Sequence, residues 1–182
     1  MAKSTTARGG ASTAALAGGV PHYERYKQSL FFGASALNTS TGGIYLCPLI
    51  VEHPITIDRI VCGVENAVGD IRLGIYDSDG DAPDTEALLA ESAAVLAVAN
   101  EKNELAIVPA TLDLDPDTYW LVFAQSNDAL NPAGLSGALA HVIHGGTLFA
   151  RGYLQAFGAF ADPCPVTAEA DNIITMWVRV MP

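Results

Sequence analysis

Basic side chains are scarce in this 182-residue chain: nine Lys and Arg stand against twenty Asp and Glu, a formal charge of −11. A folded body of that sign repels phosphate backbones and anionic lipid headgroups, so neither nucleic acid nor a membrane is an expected partner. Cysteine is sparse too. Cys47, Cys62 and Cys164 have no C-x-x-C spacing and cannot all pair within one chain, and buried free thiols are the expectation. No window reaches the roughly eighteen apolar residues that cross a bilayer. Residues 11–20, mostly Ala, Gly, Ser and Thr with one Leu, are too weakly apolar for a signal-peptide core, so export by the standard route is not expected. G-x-S-x-G, Walker A and G-x-G-x-x-G patterns are missing as well, which leaves nucleophile-elbow, phosphate-cradle and dinucleotide chemistry without support.

What the chain does contain is half hydrophobic and only 16% charged, with 17 Gly and 10 Pro. That mixture fits many short strands joined by turns, and the length suits one domain with a full core. Charge is unevenly placed. Residues 1–27 carry Lys3, Arg8, Arg25 and Lys27 against Glu24 alone, net +3, which leaves −14 for residues 28–182. The first twenty residues hold few bulky side chains and bury too little to offset the entropy of ordering. Residues 1–28 therefore read as an extended basic arm and residues 29–182 as the folded domain. A positive arm suits a segment lying across an acidic neighbouring subunit; a functionless tail is the competing reading.

From Ser29 onward the pattern is that of strands. In residues 70–76, Ile71, Leu73 and Ile75 alternate with Arg72, Gly74 and Tyr76, a half-buried strand. In residues 55–64 the apolar set passes from Ile55 and Ile57 to Ile60, Cys62 and Val64, and a change of parity around Asp58 and Arg59 calls for a bulge or a crossing between sheets. Further strands are expected over 29–33, 43–51, 88–98, 104–108, 118–124, 147–156 and 173–181. Tyr119, Leu121 and Phe123 alternate with Trp120, Val122 and Ala124, so neither face of that strand is polar and both should be covered. The run Leu112-Asp113-Leu114-Asp115-Pro116-Asp117-Thr118-Tyr119 places a tyrosine as in the tyrosine corner of Greek-key sandwiches. Residues 126–146 lack strand alternation and read as a long surface loop, with one or two helical turns over 135–143. The expected fold is all-β, a jelly-roll-like antiparallel β-sandwich with an extended N-terminal arm.

Candidate chemistry is thin. Asp77, Asp79 and Asp81 alternate in a Gly- and Pro-containing turn that runs to Asp84, as a hard cation would want, but Ala82 and Leu88 stand where an EF-hand needs Gly and Glu. A solvated acidic hairpin loop is the default and the metal reading a weak alternative. His141 and His144 would share one side of a helical turn, without H-E-x-x-H or a nearby cysteine; loop or interface histidines are the plainer reading. Asp113, Asp115, Asp117, Glu91 and Glu169 are too many and too ordinary to mark a glycosidase pair. Tyr23, Tyr26, Phe31, Phe32, Tyr45, Phe149, Tyr153, Phe157 and Phe160 would stack on sugar rings if several were exposed together, and Phe157 and Phe160, in QAFGAFADPCP, suit a surface or subunit contact. No cofactor is implied.

Four stretches are familiar in combination: Tyr45 to Pro48 opening a strand, T-I-D-R-I over 56–60, R-L-G-I-Y-D at 72–77 running into a polar Gly/Pro turn that ends at Pro83, and Y-W-L over 119–121. With the residues between them, about 43–126, they resemble tailed-bacteriophage virion proteins of the fibre and head-decoration type. The resemblance implies jelly-roll sandwiches, commonly trimeric, placed on a virion surface after assembly in the host cytoplasm, with capsid or other virion proteins as partners and no catalytic residues. The chain has no heptad or collagen-like repeat for a fibre shaft, which favours a decoration (cement) protein or fibre-base adaptor. On this reading Lys3, Arg8, Arg25 and Lys27 anchor the arm, and Trp120, His141, His144, Phe157 and Phe160 belong to an oligomer or ligand surface. A host-surface carbohydrate-binding tip is the alternative.

Overall fold

The computed structural model describes residues 26–28, 35–37, 39–78, 82–136, 151–169 and 172–182. Its strands, in chain order, are β1 (Tyr26–Gln28), β2 (Ser35–Ala36), β3 (Gly43–Val51), β4 (Ile55–Asn66), β5 (Asp70–Tyr76), β6 (Leu88–Ser92), β7 (Val95–Leu96), β8 (Glu101–Val108), β9 (Leu112–Leu114), β10 (Asp117–Gln125), β11 (Asn131–Ser136), β12 (Arg151–Leu154), β13 (Ala168–Glu169), β14 (Asn172–Ile174) and β15 (Met176–Val180). No helix occurs among the described residues, and every strand pairing is antiparallel. The main path runs β1-β15-β4-β8-β6-β5-β10-β3-β12-β13. Inward residues of β4, β8 and β15 share one apolar core with those of β3, β5 and β10, so the continuous sheet closes over itself in an arrangement consistent with a β-sandwich.

Local sequence explains the main strands. β3 and β5 span the residues that their alternation marks out. Along β4, Ile57 and then Ile60, Cys62 and Val64 all reach the core, and the change of parity is accommodated by a register shift: Arg179 pairs with Arg59 but Val180 pairs with Ile57, leaving Asp58 as the extra residue. At the same point the other edge of β4 passes from β9 to β8. Pro48 sits inside β3, yet among the described residues β12 pairs with β3 only over 43–46, so the missing donor falls where one side has no ladder. The tyrosine corner forms: the Tyr119 hydroxyl donates to the carbonyl of Asp115 at 3.1 Å. Burial and the nearby carboxylates of Asp77, Asp117 and Asp115 push its pKa up, which keeps that donor protonated.

The remainder differs from the alternation pattern in instructive ways. Residues 26–28, counted with the arm, pair as β1 with β15. The 88–98 run divides into β6 and β7, and of the 147–156 run the structure describes β12 over 151–154; residues 29–33 and 147–150 lie outside the described residues. The loop expected over 126–146 is corrected in its first part. Asn131–Ser136 is strand β11, which pairs with β4, β2 and β14, and Thr175 N donates to Ala133 O at 2.9 Å. Pro132, Ala133 and Gly134 give no alternation because small residues are what a strand wedged between neighbours requires. A Cβ on Gly134 would lie 2.1 Å from the Ile173 carbonyl oxygen and 2.4 Å from Leu37 Cδ1. Because backbone cannot yield as a side-chain tip can, Gly134→Ala is expected to cost about 2–3 kcal/mol or more in guanidinium unfolding. Gly42→Ala, whose added Cβ meets nothing within 4 Å, is the matched control; equal stability of the two variants would contradict this packing.

Candidate functional site

β10 lies between two apolar layers. Tyr119, Leu121 and Phe123 face the main core, while Trp120, Val122 and Ala124 join Ile44, Leu46 and Tyr76 in a second one. The second core is closed by the chain itself. Residues 155–167 cross the outer face of the sheet, and Phe160 and Cys164 are buried there with Phe157 packed against them. Gly74 makes room: a Cβ at that position would come within 3.0 Å of the Phe160 ring. Trp120 is 0% exposed, with its indole N–H donated to Ser78 Oγ at 3.3 Å, and Phe160 is 5% exposed. This corrects the expectation that Trp120 and Phe160 form an oligomer or ligand surface, since both are sealed inside one chain. Phe157 stays half-buried at the margin. The same cover makes β5 more than half-buried, because Gly74 and Tyr76 are enclosed on the outer side too.

Polar contacts clamp this cover to the β5–β6 connection. Tyr76 donates its hydroxyl to Ala161 O at 2.6 Å; Thr85 and Cys164 are bridged through Thr85 N to Cys164 O and Cys164 N to Glu86 O. Leu88 N donates to Asp162 Oδ1 at 3.1 Å and Phe160 N to Glu91 Oε2 at 3.2 Å. Asp84 accepts from both the N–H and the hydroxyl of Thr167, with Arg151 Nη1 at 4.0 Å from its other oxygen. The last carboxylate of the acidic stretch is thus a fastening of the fold. Asp77 accepts from Ser78 N at 3.0 Å; Asp79 and Asp81 lie outside the described residues. Among the described residues no group of three His, Cys, Asp or Glu is arranged to hold a metal. Lys3, Arg8, Arg25, His141 and His144 also lie outside the described residues, and Lys27 falls within β1.

Four of the five cations of the body are committed locally. Arg72 pairs with Glu91 at 2.7 Å, Lys102 with Glu104 at 2.6 Å, Arg151 with Asp84, and Arg179 with both Asp58 and Glu104. The Arg179 guanidinium holds the Asp58 carboxyl below its ordinary value. Arg59, cross-strand from Arg179, has a buried Nε with no hydrogen-bond partner. The carboxylate excess has no internal counterpart and defines the surface potential.

Two clefts open on this surface. One, about 390 Å³, lies at the β6–β8 seam and is lined by Arg72, Leu88, Leu89, Ala90, Glu91 and Val108; its charged residues are already paired with each other. The other lies on the outer face of β15, β4 and β8. Met176 and Val178 point into the core, so Trp177 and Arg179 point out, and Trp177 stands in one row with Val61 and Glu104. The next position along β4 is Gly63, paired with Lys102, where an added Cβ would come within 3.0 Å of the Ala133 Cβ on β11. A hollow of about 290 Å³ nearby is lined by Gly63, Glu65, Asn100, Lys102 and Trp177 among others. Trp177 was legible in the alternation of Met176-Trp177-Val178-Arg179, which puts an indole and a guanidinium on one face.

Comparison with protein-family models, with curated proteins and with solved structures gives no match, so fold and surface chemistry alone bear on function. The thiols offer no nucleophile. Cys47, Cys62 and Cys164 are all buried and free; burial pushes the Cys47 and Cys164 thiols up to about 12 and Cys62 higher still, and the Cys47 S–H donates to Ile174 O at 3.2 Å. The native protein is expected to leave a thiol-specific disulfide reagent unreacted over hours, with all three thiols titrating in guanidinium; prompt reaction of any one in the native state would contradict the packing around it.

Proposed function

We propose that this chain is a non-enzymatic virion structural protein, a capsid-decoration (cement) or fibre-base module with a jelly-roll-like body that binds neighbouring virion subunits through its basic arm and an oligomer interface, a trimer by preference. The observation that carries the reading is where the arm meets the body. Its last residues form β1, which lies at one end of the strand order and, among the described residues, pairs with β15 alone. A basic segment leaving a sheet edge can cross to a neighbour's acidic surface, and four of the body's five cations, held in local ion pairs, leave that surface open to it.

The opposite end of the order supports the same reading. Among the described residues β13 pairs with β12 alone, in a register of Arg151 opposite Glu169 and Gly152 opposite Ala168. Leu154, the last residue of β12, and Val166, two residues before β13, are the most exposed large hydrophobics of the described residues at 87% and 77%. Exposed apolar side chains next to a sheet edge suit contact with another subunit.

Light scattering of the full chain, and of a form lacking residues 1–20, tests the proposal. The full chain is expected to form a discrete oligomer of the 19.0 kDa protomer. Removing the arm, or raising salt to about 1 M, is expected to weaken it by at least tenfold in dissociation constant. A full chain that stays monomeric at every concentration, or an oligomer indifferent to both changes, would refute arm-mediated assembly.

A further inference from the structure

We propose that residues 1–20 of a second copy of this chain dock on an apolar patch made by Val68 and the run 93–98, at the end of the body opposite to the one its own arm leaves from. This docking rests on the arm-mediated assembly proposed above and gives the arm its landing site. Residues 93–99 read Ala-Ala-Val-Leu-Ala-Val-Ala, and within that apolar run Ala97 alone is buried. Val95, Leu96 and Val98 are 43%, 67% and 51% exposed, and Val68 is 41% exposed. Leu96 pairs with Asp70, and Ala97 N donates to Gly69 O at 3.1 Å, so the turn that carries Val68 runs beside this stretch. Four of the nine large hydrophobics exposed among the described residues therefore fall in one place, where scattered single ones would need no explanation.

The patch offers backbone as well as side chains. Among the described residues β7 pairs with β5 alone, so the other edge of Val95 and Leu96 is open to an added strand. Charge decides what adds to it. The 126–130 turn is tied to β5 by Ser126 N donating to Asp70 O at 2.9 Å, and with 64–70 and 99–103 it frames the patch. These three turns carry Glu65, Asp70, Glu101 and Asp128 against Lys102, and Lys102 is held by Glu104 at 2.6 Å. None of the four carboxylates belongs to an ion pair among the described residues. An acidic frame repels the same frame on a second copy, which disfavours patch against patch. It attracts residues 1–20, which hold Lys3 and Arg8, no carboxylate, and the apolar run Ala14-Ala15-Leu16-Ala17.

Strand direction selects a neighbour's patch. β1 is antiparallel to β15 and β15 to β4, so β1 runs the same way as β4, from the Ile55 end towards Asn66. Tyr26 lies across from Arg179 and Arg179 from Arg59, so the chain enters β1 from the Ile55 end. The patch flanks the Asn66 end, where Asn100 N donates to Val64 O at 2.7 Å. An arm bound for its own patch has to reverse and pass back along β4, whereas one that keeps its heading leads to another subunit. Residues 1–25 span at most about 80 Å when extended, enough for that crossing. Contact between unlike ends is heterologous and closes into a ring when the rotation between subunits allows, which accommodates the trimer proposed above.

The test is photo-crosslinking in the full chain, with a benzophenone amino acid in place of Leu16 and a mixture of isotope-labelled and unlabelled protein to separate links between copies from links within one. Links between copies that map to 64–70 or 93–101 are expected. Leu96→Arg, at an exposed position, is expected to keep its melting temperature and to raise the dissociation constant of the oligomer at least tenfold, as removal of the arm does. Links between copies that map elsewhere on the body, or an oligomer indifferent to Leu96→Arg, would overturn this site and leave arm-mediated assembly standing. Links confined to one chain, or none, would overturn both. Weakening by Leu96→Arg without links to the patch would show patch meeting patch and overturn the arm as its occupant.

Discussion

Burial of β10 on both faces is the constraint around which the rest of the molecule is arranged. One face, with Tyr119, Leu121 and Phe123, meets the main core in the ordinary way of a folded sheet. The other carries Trp120, Val122 and Ala124, and a bare apolar face of that size would promote association with any apolar surface. The chain solves this with residues 155–167, a segment almost without regular hydrogen-bonded structure of its own. Ordering such a segment costs about 1–2 kcal/mol of backbone entropy per residue. Burying Phe160 and Cys164 over Gly74 and Trp120 offsets part of that, and the rest falls to the bonds that satisfy its backbone from Thr85, Glu86, Glu91 and Tyr76. Asp84 and Thr167 close its far end.

That internal closure moves any external contact elsewhere. With Trp120 and Phe160 enclosed, the surface features left for partners are sheet edges, rims and charge. β1 and β13 end the strand order, Leu154 and Val166 stand out at one rim, and the carboxylate excess covers the body. The proposed assembly through an arm and a rim draws on those features. The outer face of β15, β4 and β8 carries Trp177 beside a hollow lined by Glu65, Asn100 and Lys102.

Much of the fold was legible in sequence because it rests on local alternation. β3 and β5 could be bounded from their side-chain period, Asp58 betrayed its bulge by a parity change, and Leu112 to Tyr119 announced the tyrosine corner. The two-sided apolarity of β10 was readable; what covers it was not, since QAFGAFADPCP has no period and only tertiary contacts decide whether its phenylalanines face in or out. β11 escaped for a related reason, as Pro132, Ala133 and Gly134 were selected by closeness to β14 and β2 and carry no strand signature. Site residues were the least legible part. Trp120 reads as a surface aromatic only until its cover is known, and Trp177 reads as one more strand residue until the strand order sets it on the outer face beside β4 and β8.

The central claim is that the second core is sealed within a single chain, and Phe160→Ala in a Trp177→Phe background tests it most directly because Trp120 is then the sole indole. Loss of about 3 kcal/mol in unfolding free energy, together with a red shift of Trp120 emission and its quenching by acrylamide, is the result this account predicts. Unchanged stability, with Trp120 equally shielded at protein concentrations low enough to exclude association, would contradict it.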